Sequence, residues 1–501
     1  MTGLALLGLV MLLVMIGAIF IGFPISFTLL FLALTFGYFG LGEMVFSLAY
    51  FQTIGLMKES LLAAVPLFIF MGFITEQAGL MERLFRAFRD LLAPIRGSLF
   101  VVVILTATVF AMATGIVGAA VTVLGIMASP IMIKTGYDGR LAAGAITAGG
   151  TLGILIPPSV MLIVMGPVLG VSVADLYAAA LGPGFMLAGI YLVYLLARAF
   201  FNPSLGPPVP KEERIHGIAV IVKEVAAGVV PLVALIAAVL GSILAGIATP
   251  TEAAGVGALG ALLLAAAYRK LSLAGLKRAV LSTTATSAMV LLLAVTSNIF
   301  GAVFARLGTA SWITEAMLAL PLSPVVMLVV VLFLIFLLGW PFEWPAIILV
   351  FLPIFYPVVD ALKGDLGTAL GTPAEMVMVW FGALVAVTLQ TAFLSPPVAM
   401  SAYYLRQVVK EWSLATIYKG MFEFMILQLV AIALIIIFPA IATTLPERLR
   451  AESAAVKTEE VDDSMHRLEA DPAEQLRDEP EAEEPEGDAL EKDDLGKKTK
   501  K

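Results

Sequence analysis

The 501-residue chain has no cysteine and only two histidines. Without cysteine there are no disulfides, thiolate nucleophiles or zinc–sulfur sites. Both histidines, His216 and His466, lie in polar stretches, so a buried histidine base or metal ligand is not expected. Charge is also scarce, at 13% of residues, against about 25% in soluble domains. Catalytic signatures are missing too: there is no HExxH, no phosphate-gripping GxxxxGK(S/T) and no Ser–His pair within an apolar stretch. Nothing supports an enzyme of a soluble type, and any transport would draw on an ion gradient or a separate partner.

What is present is apolar. Hydrophobic residues make up 60% of the chain, and mean hydropathy is +1.02. Apolar runs long enough to cross a bilayer, about 18 residues or more, recur too often for a buried core. The chain is therefore read as an all-α polytopic membrane protein. Its opening, "MTGLALLGLVMLLVMIGAIFIGF", lacks a basic n-region and a small-residue cleavage site, so it is read as a retained first helix. From Pro446 onward acidic and basic residues crowd together with few apolar ones, and 446–501 is expected to be an acidic disordered tail. The tail carries the chain's net negative charge, which therefore says nothing about a substrate.

Hydropathy predicts spans near 3–20, 24–40, 62–80, 140–170, 174–201, 225–247, 250–267, 279–305, 374–405 and 417–443. Two further apolar stretches, 98–133 and 322–360, are each too long for one crossing. Reading both as re-entrant hairpins puts seventeen Lys and Arg on one side and three (Lys58, Arg306, Lys363) on the other. That is a strong positive-inside asymmetry. Reading both stretches as complete pairs leaves the same asymmetry, so charge does not separate the two; breaks in mid-stretch favour hairpins. Both termini then lie outside the cytoplasm.

The chain resembles itself. "IGFPISFTLLF" (21–31) parallels "AGIATPTEAAG" (245–255), "EQAGL" (76–80) parallels "ARLGT" (305–309), "MATG" (112–115) parallels "WPFE" (340–343), and "LIPPS" (155–159) parallels "LSPPV" (394–398). Each half then holds five crossings and one hairpin, and the odd number inverts the second half relative to the first. The predicted units are a first inverted repeat over 1–205 and a second over 206–445, followed by the tail. Their hairpins lie near 98–133 and 322–360, and their broken helices near 140–170 and 374–405. Inverted repeats with broken helices are the architecture of secondary transporters, with the site where the repeats meet.

Four breaks carry the candidate chemistry. The first hairpin tip holds Thr114 and Gly115; the second holds Phe342 and Glu343 between two prolines. The broken spans contribute Thr147, Thr151, Gly153 and Pro157, then Thr388, Gln390, Thr391 and Ser395. Glycine and proline expose carbonyls, and hard cations prefer such oxygens. Half-helix N-termini favour a carboxylate. Thr114, Gly115, Thr151, Gly153, Phe342, Glu343, Thr388 and Thr391 are therefore candidates for a Na⁺ site, and Thr147, Pro157, Gln390 and Ser395 for substrate. Glu343, a carboxylate at bilayer depth, is a cation ligand, a proton carrier or an acid beside a shallow vestibule. The ordinary alternative for each threonine is a bond back to its own helix. Glu252, in Thr249–Pro250–Thr251–Glu252, is expected to cap a helix.

The segments "PLFIFMGFITEQAGLMERL", "IMIKTGYD", "GTLGILIPPS", "GIATPTEAAGVGAL" and "FGALVAVTLQTAFLSPPV" resemble, over residues 1–445, the large membrane (M, DctM-type) subunit of tripartite ATP-independent periplasmic (TRAP) transporters. The resemblance implies a sodium-coupled symporter of elevator type in a bacterial inner membrane. It would work with a small four-helix Q subunit and a periplasmic substrate-binding protein that delivers an organic acid. No cofactor is implied beyond Na⁺ as coupling ion. The family's first tip reads like Ile-Ser-Gly-Ser, where this chain has Ala113-Thr114-Gly115-Ile116, keeping one hydroxyl and losing the other. Glu343 stands at the family's usual Asp, and Thr388 at its usual Asn. No Q-like segment precedes residue 1, so Q is expected as a separate chain. The alternative is a stand-alone Na⁺- or H⁺-coupled organic anion transporter.

Overall fold

A computed structural model describes residues 3–208, 218–396 and 399–469. Every regular element among them is helical. Ten helices are long and apolar enough to cross a membrane, and a bent pair adds a further span. The molecule is a multi-pass membrane protein.

The first half begins with α1 (Gly3–Ile21), α2 (Ile25–Leu41) and α3 (Met44–Met57), which pack on one another but leave Phe20, Phe27, Phe31, Phe39 and Phe51 on the outer surface. A 14-residue helix in the expected loop before residue 62 is a correction. At that length α3 falls short of the about 20 residues that mark a crossing. After a short turn come α4 (Ala64–Gln77) and α5 (Leu80–Leu92). The sequence reading treats the arginines of α5 as loop charges. The structure instead winds them into an amphipathic helix that buries Leu80, Met81, Leu84 and Phe85 at helical spacing. Arg83 lies over the Tyr268 ring, 4.3 Å from its centroid, which holds α5 against the end of the later helix Pro250–Ala267.

Next come the arms of the first hairpin, α6 (Ser98–Thr114) and α7 (Val117–Lys134), then the broken pair α8 (Gly139–Leu155) and α9 (Val160–Leu169), and then α10 (Val173–Phe201). The axes of α8 and α9 differ by 47°. Asp138 caps α8 by accepting from the Leu141 amide at 2.8 Å. Built from Gly, Ala and Thr, α8 is buried from Leu141 to Leu155, between α6, α7 and a later helix. Small residues let membrane helices approach this closely.

The rest of the chain follows. It contains α11 (Ile218–Leu244), α12 (Pro250–Ala267), the 34-residue α13 (Leu273–Arg306) and α14 (Thr309–Leu318). At the start of α12 the expected cap is present as a full capping box. The Thr249 hydroxyl accepts from the Glu252 amide (3.3 Å), and the Glu252 carboxylate accepts from the Thr249 amide (2.8 Å). The second hairpin descends in α15 (Pro324–Leu338). It returns through α16 (Trp344–Ala346), a π-helical turn Ile347–Phe351 and α17 (Leu352–Ala361). Pro353 has no N–H to offer the Leu349 carbonyl, which accounts for the widened turn before it. The remaining helices are α18 (Lys363–Leu370), the buried α19 (Ala374–Leu394), α20 (Met400–Val408), α21 (Leu414–Ile437) and α22 (Ala440–Glu469). Gly144 of α8 faces Gly420 of α21, where a Cβ on Gly144 would stand 2.9 Å from the Gly420 carbonyl oxygen.

Instead of ending in a disordered segment at 446, the chain continues as helix to Glu469. The stretch "RLRAESAAVKTEE" is rich in Ala, Glu, Lys and Arg, which favour helix even where nothing apolar is buried. The rest of the expected tail, 470–501, lies outside the described residues, as do Lys211, Arg214, His216, Pro397 and Val398.

Candidate functional site

The first hairpin reverses at Gly115, whose φ of +61° suits glycine and strains other residues. Beside it, Thr114 is buried and its hydroxyl donates to the Phe110 carbonyl at 3.3 Å. The tip rests on the break between α8 and α9. A Cβ on Gly115 would stand 3.8 Å from the Gly153 carbonyl oxygen, 3.9 Å from that of Pro158 and 3.9 Å from the Val160 nitrogen.

Proline decides which carbonyls are left open. In a continuous helix residue 157 would donate to Gly153 and residue 158 to Ile154; as prolines neither can. The Ser159 hydroxyl takes up the Ile154 carbonyl, and the Tyr177 hydroxyl donates to the Ser159 carbonyl at 3.3 Å. The Gly153 carbonyl, freed by Pro157, faces the hairpin tip together with the Pro158 carbonyl.

In the second half the contact at the break is with a side chain and not with a carbonyl. Pro396 has no N–H for the Ala392 carbonyl, and Gly339, at the foot of the second tip, packs against Ala392: a Cβ there would be 2.8 Å from the Ala392 Cβ. Between the breaks, the Gln390 amide donates to the Thr151 carbonyl at 3.0 Å, joining α19 to α8. Thr147, Thr151, Thr388 and Thr391 each donate to a carbonyl of their own helix. The threonine protons are thus occupied.

Glu343 projects into two adjoining cavities, of about 260 and 240 Å³, and its carboxylate has no hydrogen-bond or ion-pair partner among the described residues. The larger one gathers both hairpin tips (Gly115 to Gly118, Glu343 to Pro345), both breaks (Ile154, Val160, Phe393, Met400) and the facing helices α4 and α13. Of the sequence-predicted residues, Gly115 and Glu343 border this space, and the Gly153 carbonyl adjoins Gly115. Thr114, Thr147, Thr151, Pro157, Thr388, Gln390, Thr391 and Ser395 are buried and do not line it. Phe342 packs on Phe351, with ring centroids 4.9 Å apart, and borders the smaller of the two. It also lines a separate apolar cavity of about 670 Å³ shared with α1.

Sequence reasoning missed Tyr404 and Trp344, both of which line the larger cavity. The signal for Tyr404 was a glycine on another helix. The Tyr404 ring lies against Gly118, 3.1 Å from where a Cβ would stand, and no spacing in the chain reveals that pairing.

The family model for "Tripartite ATP-independent periplasmic transporter, DctM component" matches residues 9–441. The chain belongs to this family. Among DctM-family relatives, it is 28% identical over 435 residues to the sialic acid TRAP transporter large permease SiaM of Vibrio cholerae, covering 86% of this chain and 96% of that one. It is 28% identical to the C4-dicarboxylate large permease DctM of Rhodobacter capsulatus, covering 85% and 96%. To the ectoine large permease TeaC of Halomonas elongata it is 27% identical, covering 86% and 97%. The fold is also similar to that of the YdaH transporter of Alcanivorax borkumensis, whose crystal structure has a described unusual topology. The TM-score is 0.55 at 16% identity, over 79% of this chain and 88% of that one. This DctM-family chain is a transporter permease and not an enzyme.

Proposed function

We propose that this TRAP large permease is the translocating subunit of a Na⁺-coupled symporter that imports an organic acid across a bacterial inner membrane. The observation that carries the reading is the contact of the first hairpin's glycine with a proline-freed break, Gly115 on the Gly153 carbonyl. Open carbonyls beside an unpartnered Glu343 suit a hard cation. Thr114, Thr151, Thr388 and Thr391 can add hydroxyl lone pairs, while Phe342 contributes backbone. Thr147, Pro157, Gln390 and Ser395 shape the substrate side from beneath.

On this reading the chain works with a separate small Q subunit and a periplasmic binding protein that hands over the acid. The two halves, 1–205 and 206–445, act as inverted repeats. Both hairpins travel together in an elevator movement, and both termini lie in the periplasm. Proteoliposome uptake, with and without Q, binding protein and a Na⁺ gradient, tests it. Uptake is expected only with all three. Uptake by this chain alone would favour a stand-alone transporter, and dependence on H⁺ instead of Na⁺ would remove the cation assignment. Protease added to intact spheroplasts is expected to trim the acidic C-terminus; protection there would overturn the orientation.

A further inference from the structure

Away from the hairpin tips, four polar side chains gather inside the helix packing: Thr151 of α8, Tyr191 of α10, Gln390 of α19 and Gln428 of α21. All four are fully buried, and none lines either cavity beside Glu343. Their helices pack on one another. Thr151 is the common point. Its carbonyl accepts from the Gln390 amide at 3.0 Å, and its side chain, with that of Gln428, faces the Tyr191 hydroxyl. The Tyr191 ring stands edge-on to Phe424, with centroids 5.1 Å apart, which holds the hydroxyl in this place.

Hydrogen-bonding capacity is unused here. The Tyr191 hydroxyl, the Gln390 Oε1 and both ends of the Gln428 amide have no partner among the described residues. Tyr191 thus faces Thr151 and Gln428 without a well-formed bond to either. Gln428 is the one polar side chain in the run 425–437, and it lies on the buried face of α21. A polar group left unpaired in such a place costs about 1–3 kcal/mol, and at bilayer depth no bulk water replaces the partner.

The unused groups select what can bind. Interchanging the oxygen and nitrogen of Gln428 changes nothing, because both are unpaired. Interchanging those of Gln390 would turn its oxygen on the Thr151 carbonyl, so that amide has one orientation. A cation would be met by the oxygens alone, would leave the Gln428 N–H groups unpaired, and would find no carboxylate among the four. An anion would find no cationic side chain among them. Water both donates and accepts, and it needs two to four polar partners. It accepts from Gln428 Nε2 and donates to a glutamine Oε1, while the Tyr191 hydroxyl serves in either sense.

We infer that this cluster is a hydration site, with ordered water bound between α8, α10, α19 and α21 and bridging Tyr191, Gln428 and the Gln390–Thr151 pair. The bound water ties α10 and α21 to the junction of the two broken helices, bracing the break in α8 from inside the bundle. The site does not depend on what the permease carries.

The test is a density map of the purified full-length chain at a resolution that shows ordered water. A peak is expected within hydrogen-bond distance, about 2.7–3.2 Å, of at least two of the unpaired groups. Direct bonds among the four side chains with no peak between them would overturn the inference. So would a peak with oxygen contacts near about 2.4 Å, the range of a hard cation. Radiolytic hydroxyl labelling supplies a second readout on the wild-type chain, since it modifies side chains beside bound water. Tyr191 is expected to be labelled, and Tyr177, equally buried but bonded to the Ser159 carbonyl, to be spared. In Gln428→Met, which keeps the side-chain length and removes the amide, labelling of Tyr191 is expected to fall. Tyr191 labelled no more than Tyr177, or labelled equally in the methionine variant, would overturn the hydration site.

Discussion

Gln390 donates its side-chain amide to the backbone carbonyl of Thr151, 239 residues away, across 3.0 Å of fully buried contact. This single bond joins the two broken helices at the level of their breaks. The Gln390 Oε1 has no partner among the described residues, so the side chain is half satisfied.

Gln390→Leu removes the second donor to the Thr151 carbonyl, which keeps its place in the α8 ladder. The expected loss is about 0.5–1.5 kcal/mol, read as a lower unfolding temperature of the detergent-purified protein. An unchanged midpoint would mean that water or a rearranged side chain already serves that carbonyl.

Gly115→Ala places a Cβ on a residue at φ +61°, where L-residues cost about 1–2 kcal/mol. Space is not limiting, since the nearest atom would be 3.8 Å away. The hairpin tip must therefore shift, and half-saturation by Na⁺ in uptake assays is expected to rise. Gly115→Asn, which tolerates the left-handed region better, should sit between the wild type and alanine.

Glu343→Gln keeps the shape and removes the charge. Stimulation of uptake by Na⁺ should fall sharply, whereas Glu343→Asp, one methylene shorter, should preserve it in part. Full Na⁺ dependence in the Gln variant would return Glu343 to the role of an acid lining a vestibule.

Glu423 on α21 pairs with Arg140 of α8 (3.1 Å) and Arg198 of α10 (3.2 Å), and accepts from the Tyr194 hydroxyl. The group is partly solvated, so Glu423→Gln is expected to cost about 1 kcal/mol or less. The loss should shrink as salt is added, because screening already weakens the native pairs. Unfolding curves at two ionic strengths check the sign.

Much of the chain was readable in advance because its signals are local. Apolar run length gives the spans, and the helix-start residues Thr249 to Glu252 form the expected capping box. The prolines at 157 and 158 do interrupt a buried helix. Local signals failed where a helix is held by its neighbours. The 14-residue α3 is too short for a hydropathy test, and α5 carries charges that mask its buried stripe. The helical stretch up to Glu469 was hidden by like charges that read as disorder.

The candidate site divides in the same way. Sequence alone determined that the chain spans a membrane, where its helices break, and that an acidic residue sits at one tip. Those properties follow from dehydration of backbone and charge, which act residue by residue. Tertiary structure alone decided that Gly115 meets the carbonyl that Pro157 frees, that Gln390 reaches Thr151, and that Tyr404 occupies the space left by Gly118. Each is a contact between segments far apart in the chain, set by how closely helices can pack, and no local pattern encodes that distance.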